Sequence, residues 1–182
     1  SAFYFDIRKD VLYCDTKNSS KRKSTLILLN IILNSLLKWF APILAFTTEE
    51  IYQLISKKKS VHLEKFLDYP KQLNNSKLNS KWEKLIKIRD ICNSSIEEKR
   101  IKKEIGSSLE AELKINLNNK YKNIIKNIDF SELCIISKAE ITLNENEDIT
   151  VITSRAKGNK CPICWKISVD PCKRHQCALN DK

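Results

Sequence analysis

The sequence predicts a mainly α fold: a helical bundle, then a small α/β subdomain, then a cysteine-bearing C-terminal knuckle. Three observations predict it. The run from Ser20 to Phe40 is apolar on most faces of a helix. Ala111, Leu113, Ile115 and Leu117 alternate strictly with polar residues, as a half-buried strand does. Four of the 7 cysteines fall within the last 22 residues, a local cluster rather than a framework spread over the chain. A length of 182 residues with 42% hydrophobic residues is enough to bury a core and excludes a wholly disordered chain. Only 2 Gly and 4 Pro argue against collagen-like and tight-hairpin architectures. No Met occurs, not even at position 1, so a piece of a longer polypeptide, or a processed product, is expected.

Each element follows in order. Residues 1–19 read as an opening segment. A helix is expected from Ser20 to Phe40, with one polar stripe at Asn30, Asn34 and Lys38, four residues apart. Such a helix belongs at the centre of a bundle, and the stripe is either a buried hydrogen-bond ladder or a polar edge. Pro42 stops or kinks it. Thr47 with Glu50 makes a capping box for a short helix ending near Ile55. Residues 60–80 read as a polar connection. Ser80 with Glu83 makes a second capping box, opening a helix with Trp82, Leu85, Ile86, Arg89, Cys92 and Ile96 on one face, stopped by Gly106. After the alternating strand, a short helix is expected from about Asn119 to Ile128, then short strands at Leu133–Ser137, Ala139–Leu143 and Ile149–Thr153. The boundaries predicted are 1–105 helical, 106–156 small α/β connector, and 157–182 knuckle.

The formal net charge is +11. Residues 1–60 carry +5, 61–130 +5, 131–156 −3 and 157–182 +4. A strongly basic chain favours polyanions, above all nucleic acid. The charge is discounted because 27 Lys stand beside only 6 Arg, with 24 Ile and 16 Asn, a bias that AT-rich coding also produces. No apolar run reaches the roughly 20 residues of a membrane span, and no cleavable leader is visible. Cys14, Cys92 and Cys134 are scattered in apolar surroundings, which suits a reducing, cytoplasmic compartment.

In the tail, Cys161-x2-Cys164 is the spacing at which a tight turn brings two thiolates to one tetrahedral ion. The remaining ligands come from Cys172, His175 and Cys177. The two-residue spacing of Cys172 and His175 repeats the first knuckle, and Cys177 competes with His175 for the fourth position. Soft ligands in tetrahedral number point to one structural Zn²⁺. A redox Cys-x-x-Cys pair is the alternative, but it normally opens a helix after a strand. Lys160, Trp165, Lys166, Lys173 and Arg174 surround the ligands. Basic residues interleaved with an aromatic suit splayed, single-stranded RNA, although Trp165 can equally pack beneath the metal.

The segments FYFDIRKDVLYCD (3–15), LAFTTEEIY (44–52), IRDICNSSIEEKRIKKEIGSSLEAELKI (88–115) and KGNKCPICW (157–165), in this order, closely resemble the C-terminal region of bacterial isoleucine–tRNA ligases, class I aminoacyl-tRNA synthetases. The resemblance covers nearly the whole chain. It implies a helical bundle of the class I anticodon-binding type and a zinc knuckle. It implies a monomeric partner of tRNA(Ile) whose catalytic and editing domains lie earlier in the same polypeptide. Isoleucine would be activated there with ATP, and no catalytic residue is expected in this region. Arg8 and Lys9 lie in a family-like motif and are candidate RNA contacts, or else ion-pair partners of Asp6 or Asp10. Lys21-Arg22-Lys23, Lys57–Lys59 and Lys99-Arg100-Lys102-Lys103 can follow the RNA backbone or simply be solvated helix ends. One departure stands out: the family pattern ends in a second Cys-x2-Cys, and here His175 takes the place of Cys. The rival readings are a free-standing zinc-containing tRNA-binding module and the zinc-finger tail of a DNA glycosylase. The second would need a catalytic Pro or Glu at the chain start and a helix–two-turn–helix, and neither is present.

Overall fold

The structure is a computed structural model and describes residues 3–56, 60–69, 74–172 and 174. The described residues form helices α1 (Tyr4–Cys14), α2 (Ser20–Phe40), α3 (Ala45–Ile55), α4 (Ser76–Ile101), α5 (Lys122–Ile125) and α6 (Phe130–Leu133). Their strands are β1 (Ala111–Asn118), β2 (Lys138–Asn144), β3 (Thr150–Arg155), β4 (Asn159–Lys160) and β5 (Ile167–Ser168). The fold is thus mainly α with a small sheet. Contacts divide it into two units, Ser1–Thr16 with Asn75–Lys182, and Lys17–Asn74. This grouping cuts across the boundaries expected at 105 and 156, because α4 shares its apolar face with the sheet.

In the larger unit, β1 is the central strand. It pairs in parallel with β2, Ile115 opposite Ile141, and antiparallel with β3, Ile115 opposite Val151. Ala111, Leu113, Ile115 and Leu117 are completely buried, as the alternation predicts. Against them α4 lays Leu85, Ile88, Cys92 and Ile96, spaced three and four apart on one helical face. Each fully buried aliphatic side chain contributes about 1.5–3 kcal/mol, so this seam dominates the unit. Ser95 and Thr153 close it with a 2.7 Å hydroxyl–hydroxyl hydrogen bond.

Four local expectations are corrected here. The opening segment is helix α1, because Ile7, Val11 and Cys14 recur at helical spacing and all are buried. Helix α4 starts at Ser76, capped by Asn75, whose side-chain oxygen accepts from the Leu78 N–H at 3.0 Å. The expected Ser80–Glu83 box therefore lies inside it. It ends before Gly106: the Lys103 N–H donates to Arg100 O and the Glu104 N–H to Lys99 O, with Lys103 at φ 57°. That is a Schellman closure made with a lysine instead of glycine. Finally, Leu133–Ser137 is not a strand. Asp129 accepts from the Ser131 and Glu132 N–H groups and caps α6, and Ile135 at φ 56° turns the chain into β2.

In the smaller unit, α2 has the expected bounds, with Ser19 as its cap. Helix α3 starts at Ala45, ahead of the expected Thr47–Glu50 box, and Thr48 Oγ1 instead donates to Leu44 O at 2.9 Å. Its core is Leu37, Ala41, Tyr52 and Val61. Glu49 ties α3 to the turn that follows by accepting from the Ser60 hydroxyl and the Val61 N–H, each at 2.9 Å. The expectation that α2 is buried on most faces does not hold: its buried residues are Thr25, Ser35 and Leu37, while Ile27 is 64% exposed and Trp39 53%. Within this unit the core reaches α2 along one side only, that of Leu33 and Leu37. A helix of 21 residues is about 32 Å long, and α3 spans about half of that. Among the described residues no helix is long and apolar enough to cross a membrane.

Candidate metal centre and nucleic-acid interface

The knuckle is built by backbone geometry before any metal is considered. Gly158, at φ 119°, lets β4 pair with β5; a Cβ there would lie 2.1 Å from the Ser168 carbonyl oxygen. The Cys161 N–H donates to Lys166 O at 2.8 Å, and the Trp165 N–H donates to Cys161 O at 3.0 Å. Trp165 sits at φ 62°, a left-handed position that few side chains occupy without cost. The turn this closes carries Cys161 and Cys164, and the chain after β5 returns Cys172 to them.

The sulfur atoms of Cys161, Cys164 and Cys172 all lie within 4.8 Å of one another, with Cys164 and Cys172 at 4.0 Å. Three thiolates on a tetrahedral zinc with bonds near 2.3 Å stand roughly 3.8 Å apart, so the group fits a metal of that size. Burial pushes the Cys164 thiol up to about 12, with the Lys166 N–H opposing. Burial also acts against the Cys161 thiolate, but N–H groups of Cys164 and Ile163 outweigh it and hold Cys161 below its ordinary value. Amides aimed at sulfur are what a metal-bound thiolate requires. His175 and Cys177, the competitors for the fourth position, lie outside the described residues, as does Lys173.

The remaining candidates fall into three groups. Lys160 and Trp165 form an outward pair: the ammonium stands 5.8 Å from the indole centroid, Trp165 is 58% exposed, and Glu110 lies 3.7 Å from Lys160. Lys166 leans inward, its Nζ donating to Ser131 O at 3.3 Å. Three others are engaged with carboxylates of their own unit. Arg8 pairs with Glu132, Lys9 with Asp6 at 2.7 Å, and Arg174 with both Asp10 and Asp15. The Asp10 and Asp15 partners of Arg174 lie more than a hundred residues away, and no sequence spacing signals them. The polar stripe of α2 resolves into two parts. Asn34 donates to Asn30 O at 2.9 Å on the surface, and Lys38, nearly buried, meets Glu64 at 3.4 Å. Both parts line an open cleft of about 710 Å³ with Leu33, Tyr52 and Leu67.

Comparison with known proteins places the chain in a family. The chain is 60% identical over 176 residues to isoleucine–tRNA ligase of Pelagibacter ubique, covering 96% of this chain and 19% of that protein. It is 37% identical over 182 residues to isoleucine–tRNA ligase of Bartonella henselae, with 93% and 19% covered. The protein of the same name from Rhodopseudomonas palustris is 38% identical over 183 residues, with 92% and 18% covered. The chain therefore spans about a fifth of the length of the curated relatives it matches. Residues 1–115 match the family described as the anticodon-binding domain of tRNA ligase. That match covers well over half of the 182 residues, including α1 to α4 and the start of β1, and the chain belongs to this family.

Proposed function

We propose that this chain is the tRNA-recognition region of an isoleucine–tRNA ligase, binding the anticodon stem-loop of tRNA(Ile). The observation that carries the reading is the coincidence, in one chain, of the anticodon-binding family match over residues 1–115 with a three-thiol cluster beyond it. On this reading the knuckle holds one structural Zn²⁺ through Cys161, Cys164 and Cys172, with His175 or Cys177 as the fourth ligand. With four protein ligands the ion has no open position and supplies rigidity, not chemistry. Attachment of isoleucine with ATP belongs to a catalytic domain elsewhere in the polypeptide, which together with an editing domain is this chain's partner.

The RNA face proposed is the outer surface of the knuckle. Trp165 offers an exposed ring on which an unstacked base can lie, and Lys160, standing over the same ring, supplies a phosphate partner. Lys173 extends the charge, and Lys166, bound inward to Ser131 O, adds only its field. Arg8, Lys9 and Arg174, committed to carboxylates, shape the support beneath. The charge supports the same direction: residues 157–182 carry +4.

The test is affinity for tRNA(Ile) against other tRNAs over a salt series, with and without a chelator. Tighter binding of tRNA(Ile), lost on chelation, is expected. Equal and purely salt-dependent binding to all tRNAs would sink the reading.

A further inference from the structure

Helix α1 is pinned at its N-terminal half. Asp6 meets Arg89 of α4 at 3.6 Å, and Arg8 meets Glu132 of α6. Ile7 and Val11 are buried. Its C-terminal half has a different arrangement. Asp10 and the C-cap residue Asp15 place two carboxylates near the negative end of the helix dipole, with no basic residue in the last turn of the helix. Such placement opposes helix stability, so a cation from elsewhere must offset it. That cation is Arg174: its Nε donates to Asp15 and its Nη1 to Asp10. The Arg174 side chain is 28% exposed, that of Asp10 18% and that of Asp15 9%. Burial would raise the Asp10 carboxyl, but the hydrogen bond and charge of Arg174 prevail and hold it below its ordinary value.

A planar fork split between two carboxylates defines an orientation as well as an attraction. Arg174 stands two residues beyond Cys172, and Cys14, one turn after Asp10, directs its thiol at the Ile163 carbonyl inside the Cys161–Cys164 turn, at 4.0 Å. The same end of α1 therefore touches the knuckle at the turn bearing two thiols and, through Arg174, just beyond the segment after β5 that bears the third. Both hydrogen-bonding edges of the guanidinium used here face carboxylates of α1, so Arg174 is occupied within the protein.

We propose that Arg174 is a positioning residue, a clamp that holds Cys172 against the other two thiols and fixes the knuckle on α1 in the orientation RNA meets. This rests on the reading of the chain as a tRNA-recognition region, and extends it by removing Arg174 from the RNA face. The clamp acts through the metal cage and through α1; the RNA is touched by other side chains.

The experiment compares Arg174→Ala, Arg174→Lys, Asp10→Asn and the double variant Asp10→Asn/Asp15→Asn in the intact protein. Two readouts are used: the rate of zinc transfer to a chelator, and tRNA affinity over a salt series. Arg174→Ala and the double Asn variant should each weaken zinc retention by about tenfold or more, the size typical of losing a group that supports a metal ligand. Both should lower tRNA affinity at every salt concentration without changing the slope of log K against log salt, and Arg174→Lys should restore part of both. A direct phosphate contact gives the opposite pattern: Arg174→Ala flattens the slope by about 0.7–0.9, and the Asn variants bind RNA more tightly. That result, or unchanged zinc retention in Arg174→Ala, overturns the clamp. Should Arg174→Ala fail to fold, Asp10→Asn, which keeps an oxygen acceptor, carries the same prediction in smaller degree. If the unaltered protein shows no preference for tRNA(Ile), the functional reading falls while the zinc measurement still decides on the clamp.

Discussion

At the scale of the residue, three positions have consequences that can be measured. Asp129 caps α6 through Ser131 and Glu132. Burial alone would raise its carboxyl, yet these hydrogen bonds hold it below its ordinary value. The folded state thus binds this proton less readily than the unfolded chain does. The stabilisation is complete above about pH 4, the unfolded value, and is lost as pH falls through the lower folded value. Asp129→Ala should cost about 1 kcal/mol at neutral pH, and the gap from the unaltered protein should close in acid, as urea titrations at several pH values will show. Gly158→Ala sets a Cβ against the Ser168 carbonyl and should abolish metal uptake at the knuckle while leaving the α4 seam folded, read as zinc stoichiometry beside circular dichroism. Trp165→Ala removes an exposed ring. On the proposed function it should weaken RNA binding by about 1–3 kcal/mol with zinc content unchanged.

At the scale of the element, burial separates helical positions that carry like side chains. Leu85 on α4 is fully buried, so Leu85→Ala should cost about 2–5 kcal/mol. On α2, Leu37 is 4% exposed and Ile27 64%, so Leu37→Ala should destabilise strongly and Ile27→Ala should stay within about 0.5 kcal/mol; denaturant midpoints compare them. The bounds of α2 and the alternation of β1 were legible because each carries a long, single-period pattern. The Cys161-x2-Cys164 pair was picked out by its spacing, whereas spacing alone left Cys172, His175 and Cys177 open as its companions. Helix α1 was not legible, although Ile7, Val11 and Cys14 hold the period: the Phe3-Tyr4-Phe5 cluster and interleaved charges hide a pattern of three residues. The turn that follows α6 was misread as a strand because Leu133-Cys134-Ile135-Ile136 is a short apolar run whose state periodicity does not decide. The ends of α4 were missed because Asn75 and Lys103 did the work assigned to Ser80 and Gly106. The partners of Arg174 were invisible for a different reason: contacts this distant in sequence leave no local trace.

At the scale of the whole molecule, the two units differ in core. The larger gathers fourteen buried residues around α4 and β1, and the smaller gathers Leu37, Ala41, Tyr52 and Val61. Their opening free energies should differ accordingly. Amide hydrogen exchange is expected to be slowest in β1 and the middle of α4, and markedly faster throughout α3. Equal protection of α3 and β1 would show that the units unfold as one, and a single unfolding free energy would then describe both.

The larger unit takes its first helix from one end of the chain and its knuckle from the other, with Lys17–Asn74 inserted between. Asp10 and Arg174 are separated by 164 positions. During synthesis at about 5–20 residues per second, α1 is therefore made roughly 10–30 s before the arginine that pairs with its acidic end exists. Through that interval its acidic end and its apolar face stand without their final partners, so the nascent chain is most exposed to proteases and chaperones while α1 is old and the knuckle has yet to be made.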